Sequence, residues 1–168
     1  VLSSKGILSL QELPKKLVIL GAGAIGMEFA YVMNAFGVEV TMVEMLDSVL
    51  PLEDADVVEV VRKDFKAKGI TMLTGTKATG LERGKKGLSV TVEDTDGKSS
   101  VLEAEKVLVA VGRSPNSENL GLENVGVSTD RGFITVGDYY KTSVEGIYAI
   151  GDVTPSPLLA HVASKEGE

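Results

Sequence analysis

Leu17-Val18-Ile19-Leu20-Gly21-Ala22-Gly23-Ala24-Ile25-Gly26-Met27-Glu28 decides the fold, together with Val38-Glu39-Val40-Thr41-Met42-Val43-Glu44 downstream. The order is an apolar strand, a Gly-x-Gly-x-x-Gly turn, an amphipathic helix and a second strand ending in an acid. Each part has a physical task in holding a dinucleotide. Gly21 permits a tight turn, Gly23 has no Cβ to keep the backbone from a pyrophosphate, and Gly26 lets the helix pack close to the strand. The first N–H groups of the helix have no carbonyl partners, and the helix dipole favours a negative group beside them. Gly21, Ala22, Gly23, Ala24, Ile25, Gly26 and Met27 are therefore the candidate nucleotide-binding residues. Glu44 stands about 20 residues further on, where a carboxylate accepts hydrogen bonds from an adenosine ribose. It would repel a 2′-phosphate, and no Arg or Lys follows within several residues. The nucleotide expected is NAD, not NADP.

Outward from this core, the first helix is predicted to bury Ile25, Phe29, Val32, Met33 and Phe36, with Gly37 as its stop. A loop through Pro51 leads to Asp54 as N-cap of a second helix, with Val57, Val58, Val61 and Phe65 as its apolar stripe and Gly69 at its end. Ile70 to Thr74 reads as a third strand. Leu88, Val90 and Val92 then alternate with polar residues, Asp96-Gly97 signals a hairpin, and Val101 to Glu105 returns. Lys106 to Gly112 is continuously apolar after its first residue, as in a strand buried on both faces. The run Glu82-Arg83-Gly84-Lys85-Lys86 reads as a solvated hairpin loop. The fold class is therefore α/β and Rossmann-like. A parallel sheet carries helices, and a three-stranded antiparallel meander makes the last crossover. Further on, Arg113 to Gly126 reads as a linker, Phe133 to Val136 as a short strand and Gly146 to Ile150 as a strand ending in Gly151-Asp152. Pro157 opens a helix through Leu158 to Ala163.

Composition narrows the function classes. A net charge of −7 disfavours a nucleic-acid backbone as partner. The chain has no Cys, hence no disulfide and no thiol chemistry of its own. A single His and no His/Cys cluster argue against a bound metal. No apolar run has the length to span a bilayer, and Val1-Leu2-Ser3-Ser4-Lys5 lacks the features of a secretory leader, so a cytoplasmic protein is expected. The chain opens without an initiator Met and stops within a helix at Glu168, so a piece of a longer protein is expected.

Taken together, these motifs resemble the FAD-containing pyridine-nucleotide–disulfide oxidoreductases, and among them the dihydrolipoamide dehydrogenases. The resemblance spans essentially the whole chain. It rests on Leu13-Pro14 and the glycine turn, Leu50-Pro51 with Asp54 and Asp56, and Val109-Ala110-Val111-Gly112-Arg113-Ser114-Pro115-Asn116. It rests further on Thr142-Ser143 before Ile147-Tyr148-Ala149-Ile150-Gly151-Asp152, and on Leu159-Ala160-His161 with Glu166-Gly167. It implies that residues 1–115 are an NAD-binding domain and that 116–168 begin the second segment of an FAD-binding domain. The complete enzyme it implies is a homodimer that oxidises dihydrolipoamide through a Cys pair, FAD and NAD, serving the lipoyl-bearing subunits of 2-oxoacid dehydrogenase complexes. This chain alone would be inactive, lacking the Cys pair and the first FAD turn. Another flavin disulfide reductase, such as mercuric reductase, an NADH oxidase, or a non-catalytic NAD-binding module are the alternatives.

The resemblance also assigns residues. Gly26 matches NAD-using members, whereas NADP-using relatives often carry Ala. Glu28 would lie near the nicotinamide, though a Glu in a first helical turn also serves as a dipole-complementing surface residue. Ala78 matches a backbone contact to adenine, and its bland alternative is an ordinary loop alanine. Gly112 lies at a strand's carboxyl end, where open α/β sheets bind ligands. Asp152 matches the aspartate that hydrogen-bonds the ribityl chain of FAD, against a plain turn or cap aspartate. Leu158, Leu159, Ala160 and His161 match the helix start beside the flavin, with His161 acting through its backbone.

Overall fold

The computed structural model describes residues 1–84 and 87–168, so Lys85 and Lys86 of the expected hairpin loop lie outside the described residues. The chain forms two compact units, Val1–Gly112 and Arg113–Glu168.

In the first unit, α1 (Ser4–Leu8) precedes β1 (Lys16–Leu20), α2 (Ala24–Ala35), β2 (Glu39–Val43), α3 (Ala55–Ala67) and β3 (Thr71–Leu73). The meander is β4 (Thr76–Arg83), β5 (Leu88–Asp94) and β6 (Ser99–Ala104), and β7 (Lys106–Val109) completes the parallel sheet. The sheet order is β3-β2-β1-β7, with Leu20 level with both Val43 and Val109. Successive side chains on a strand point to opposite faces, and here each face has its own cover. Leu17, Ile19, Val40, Met42 and Leu108 pack under α2 and α3. Val18, Val43 and Val107 pack against Val90, Val92 and Ala104 of the meander. The meander thus replaces the helical layer usual on a parallel sheet's second face. The α/β, Rossmann-like fold expected from the sequence is the one observed.

Both long helices end alike. At α2 the Gly37 N–H donates to the Asn34 carbonyl and Val38 N–H to Met33. At α3 Gly69 donates to Lys66 and Ile70 to Phe65. This is the Schellman arrangement, with the left-handed glycine after the cap (φ 84° and 81°) and a buried apolar pair, Val38 with Met33 and Ile70 with Phe65.

Several sequence expectations need correction. The buried face of α2 is Gly26, Met27, Ala30 and Met33, while Val32 and Phe36 are exposed. The close approach of Gly26 to the glycine turn fixes the helix's rotation, and that outweighs burial of the largest apolar residues. On α3, Val58 and Phe65 are buried but Val57 is exposed, and Asp54 is the N-cap residue without a side-chain cap bond. Val107 and Leu108 of β7 are buried on the sheet's two faces, as expected, but Val109 at its end and Val111 beyond it are exposed, and β7 is an edge strand. Glu82 and Arg83 belong to β4 and not to a loop. Residues before β1 are more than a lead-in. Ser3 caps α1 by accepting the Gly6 N–H (3.2 Å), and Leu2 bridges to Leu108 on the free side of β7.

The second unit has a small core of Val127, Ile134 and Ala149. The expected linker contains α4 (Leu122–Val125), and the expected strand at Phe133 is β9 (Phe133–Ile134), paired with β8 (Thr129–Asp130). Gly146 to Ile150 is not a strand. A single bridge joins Tyr148 to Lys141, because no further segment of this unit lines up beside it. The last helix, α5 (Ala160–Glu166), starts later than Pro157. The Leu159 N–H turns back to the Pro157 carbonyl (2.8 Å) and Leu159 itself is extended.

Candidate functional site: the glycine turn and the acid after the second strand

Because β1, β2 and β7 are parallel and in register, the residues following them meet at the carboxyl end of the sheet. Gly21 N–H donates to the Val43 carbonyl, Ala110 N–H to Leu20, and Glu44 N–H to Leu73, each at 2.8 Å. β2 lies to one side of β1 and β7 to the other, so the carboxyl end of β1 is the switch point where open α/β sheets bind ligands.

The three glycines have three different reasons to be glycine. Gly21 has φ 98° and presses against the Ala110 backbone, so a Cβ has no room there. Gly26 sits against the Gly21 carbonyl and the Ile19 side chain, bringing α2 onto the turn. Gly23 caps α2 with an ordinary backbone (φ −72°), and nothing lies within 4 Å of where its Cβ would be. No local packing explains its lack of a side chain, and open space in front of backbone amides is what an approaching phosphate requires. Among the described residues, the N–H groups of Gly23, Ala24 and Ile25 have no acceptor. Met27 is buried in the core cluster between the sheet and its covering helices, so its side chain is not available to a ligand.

Glu44 is half-buried, and its carboxylate is already at work within the protein. One oxygen accepts the Ala22 N–H (2.7 Å) and the other the Leu46 N–H (2.9 Å). A carboxylate offers about four lone-pair positions, so two remain free. Glu44 shares a cleft of about 390 Å³ with Leu20, Gly21, Val43, Ala78 and Val111. Ala78 lies in β4, not in a loop, and the residue after it, Thr79, is an extra residue between the Val92 and Thr91 pairings. Such bulges re-aim the neighbouring backbone, here at the cleft wall. The fold also brings up a cation that linear spacing does not reveal. Lys77 lines the cleft and pairs with Glu93 across the β4–β5 ladder (2.9 Å). Nothing in local periodicity distinguishes such wall residues, since they reach the cleft only through the meander's position.

Of the expected residues of this unit, Gly21, Glu44 and Ala78 line that cleft; Ala22 to Met27 follow Gly21 outside its walls, and Glu28 and Gly112 stand further along the chain from it. Glu28 is exposed on α2 beside a shallow apolar groove lined by Ala24, Tyr31 and Phe65. Gly112 has φ 145° and open space around it, beyond the end of β7. In the second unit Asp152 follows Gly151 in a short 3-10 turn and pairs with Arg113 (2.8 Å). The Gly151 N–H donates to Glu166 of α5 (2.7 Å), and the buried Thr154 hydroxyl donates to the Gly151 carbonyl (2.8 Å). Leu158, Leu159, Ala160 and His161 are all exposed at the start of α5. Sequence reading missed Arg113 and Glu166 as partners of the Gly151-Asp152 turn, although both fall inside quoted motifs. Among the described residues no cluster of His, Cys, Asp and Glu could hold a metal, and no helix is long and apolar enough to cross a membrane.

Known proteins share this pattern. A family model described as "Pyridine nucleotide-disulphide oxidoreductase" matches residues 1–167. The chain is 52% identical over 158 residues to a dihydrolipoyl dehydrogenase of Mycobacterium tuberculosis, covering 94% of this chain and 34% of that protein. It is 41% identical over 169 residues to the leghemoglobin reductase of Glycine max, covering 99% and 32%. The crystal structure of LpdA from M. tuberculosis superposes with a TM-score of 0.87 at 36% identity, covering 99% of this chain and 36% of that one. The HOCl-induced flavoprotein disulfide reductase RclA of Escherichia coli superposes with a TM-score of 0.88 at 30% identity, covering 98% and 37%. The chain thus spans about a third of the length of the relatives it matches. On the family match and the fold together, this chain belongs to the pyridine nucleotide-disulphide oxidoreductases.

Proposed function

We propose that this chain is the NAD(H)-binding portion of an FAD-dependent dihydrolipoamide dehydrogenase. The observation that carries the reading is Gly23. Nothing lies within 4 Å of where its Cβ would be, and its amide and those of Ala24 and Ile25, at the start of a twelve-residue helix, have no acceptor among the described residues, while Gly21 of the same turn lines the cleft walled by Glu44 and Ala78. The pyrophosphate would lie on Gly21 to Gly26, the adenosine ribose on the free lone pairs of Glu44, and the adenine on the Ala78 backbone. The nicotinamide would extend past Glu28 and Gly112. Residues 1–115 form the NAD domain in this reading, and 116–168 open the second FAD segment. Asp152, and Leu158 to His161, would be its contribution to the flavin site. The half-exposed Asp152 keeps one oxygen clear of Arg113, which suits a sugar hydroxyl.

FAD, when bound in the complete protein, supplies the electron relay between a dithiol and NAD. This chain's residues bind and orient the nucleotide. The complete protein would be a cytoplasmic homodimer serving lipoyl-bearing subunits of 2-oxoacid dehydrogenase complexes. A second reading, another flavin disulfide reductase, draws support from the leghemoglobin reductase and RclA among the relatives, which carry the same domain under different names. Calorimetry of this chain with NAD, NADH and NADP tests the proposal. Binding of NAD or NADH tighter than NADP is expected, and equal or tighter NADP binding would sink the assignment of Glu44.

A further inference from the structure

We propose that Glu44 is also a positioning residue for the pyrophosphate turn, shaping it before any nucleotide arrives. The inference rests on the NAD-binding reading above and adds a role that needs no ribose. The Ala22 peptide is fully buried and held from both sides. Its N–H donates to Glu44 Oε2 at 2.7 Å, and its carbonyl accepts the Leu50 N–H at 2.8 Å. The preceding N–H, of Gly21, is committed to the Val43 carbonyl. With these groups turned inward, the next amides, from Gly23 to Ile25, are left facing outward. Glu44 Oε1 meanwhile accepts the Leu46 N–H at 2.9 Å, which fixes the carboxylate plane. Among the described residues nothing else accepts from Ala22. A buried N–H stripped of its acceptor is costly, so the turn would rearrange to find another.

The two roles predict opposite signs for a ligand that has no ribose. A ribose acceptor that merely adds negative charge near the phosphates would, when removed, leave inorganic pyrophosphate binding unchanged or tighter. A clamp on the turn would, when removed, weaken it. Inorganic pyrophosphate and NAD are therefore titrated separately into the 168-residue chain, followed by the amide signals of Gly23 to Ile25. Glu44→Gln keeps an acceptor oxygen and drops the charge, whereas Glu44→Ala drops both. For pyrophosphate, we expect Glu44→Gln to bind at least as tightly as the parent chain and Glu44→Ala to bind about fivefold or more weakly, the effect of one lost hydrogen bond to a buried group. Glu44→Gln and Glu44→Ala binding pyrophosphate equally, both at or above the parent's affinity, would overturn the clamp and leave the NAD-binding reading standing. Parent chain that binds neither pyrophosphate nor NAD at the turn overturns both. Should Glu44→Ala fail to fold, hydrogen exchange of the nucleotide-free parent and of Glu44→Gln decides. Slow exchange of the Ala22 amide in both supports the clamp, and exchange of Ala22 as fast as that of Gly23 refutes it.

Discussion

The Gly21 carbonyl oxygen occupies the place a Cβ on Gly26 would need, so the glycine turn and its helix are locked by backbone-to-backbone contact. Gly23, between them in the same motif, has nothing within 4 Å of where its Cβ would be. The motif therefore mixes two glycines required by the protein's own packing, Gly21 and Gly26, with one that packing does not require. Gly26→Ala should destabilise the fold by about 1–3 kcal/mol, the usual cost of forcing a group into filled space. Gly23→Ala should stay within about 0.5 kcal/mol of the parent in stability. It should nevertheless weaken NAD binding at least about tenfold, equivalent to about 1.4 kcal/mol. Urea unfolding and calorimetry on the two variants give the four numbers. A large stability loss in Gly23→Ala, or unaltered NAD binding, would contradict the division of labour.

The two Schellman glycines allow a cleaner test of backbone cost. Nothing lies within 4 Å of a Cβ at Gly37 or Gly69, and both have strongly positive φ. Gly37→Ala and Gly69→Ala should each cost about 1–2 kcal/mol from conformation alone. The sites end different helices, so the double variant should show the sum within about 0.5 kcal/mol. Denaturant midpoints with unchanged slopes are the readout.

No Cys is present, and dithiol–disulfide exchange proceeds through a thiolate. The isolated chain should show no lipoamide-dependent NADH oxidation above background, and no yellow flavin should copurify with it. Stoichiometric flavin absorbance after purification would mean that the second unit has been misread.

Hydrogen exchange should separate the two units. Leu17 to Leu20 lie in a strand with partners on both sides and cores on both faces. Tyr148 and Ile150 are exposed, and their segment has one bridge. Protection of Tyr148 to Ile150 should fall well below that of Leu17 to Leu20. Equal protection in a dilute monomer would show that the second unit is as cooperative as the first.

Most of the parallel sheet was legible in the sequence, because a glycine turn between an apolar run and an amphipathic run admits few arrangements. Gly37 and Gly69 were legible as helix stops for a reason of backbone conformation that needs no partner. The rotation of α2 was not legible. Hydrophobicity favoured Val32 and Phe36, and the contact of Gly26 with Gly21 favoured Ala30 and Met33. A sum over side chains does not reveal a helix face chosen by one missing Cβ. The edge position of β7 was hidden similarly, since a strand's apolar content does not say how many neighbours it has. Glu44 could be found from its spacing, but not the two amides it holds, one of them twenty-two positions earlier. The Gly146 to Ile150 run carried the signature of a strand with no strand partner within its own unit to realise it.

β1 meets β2 after one helix, but its other partner, β7, arrives only after the whole meander: Leu17 is level with Val40 on one side and Lys106 on the other. Closing so long a loop has an entropic cost that must be met before the contacts repay it, which makes such pairings slow to form. Ala110, against which Gly21 turns, and Val111, a wall of the cleft, come with β7. A chain that has built β1, α2 and β2 but not yet added β7 therefore has half a cleft. Nucleotide would not template the early steps of folding. It would act by mass action on the finished unit, raising its apparent stability with concentration while leaving the rate of sheet closure unchanged.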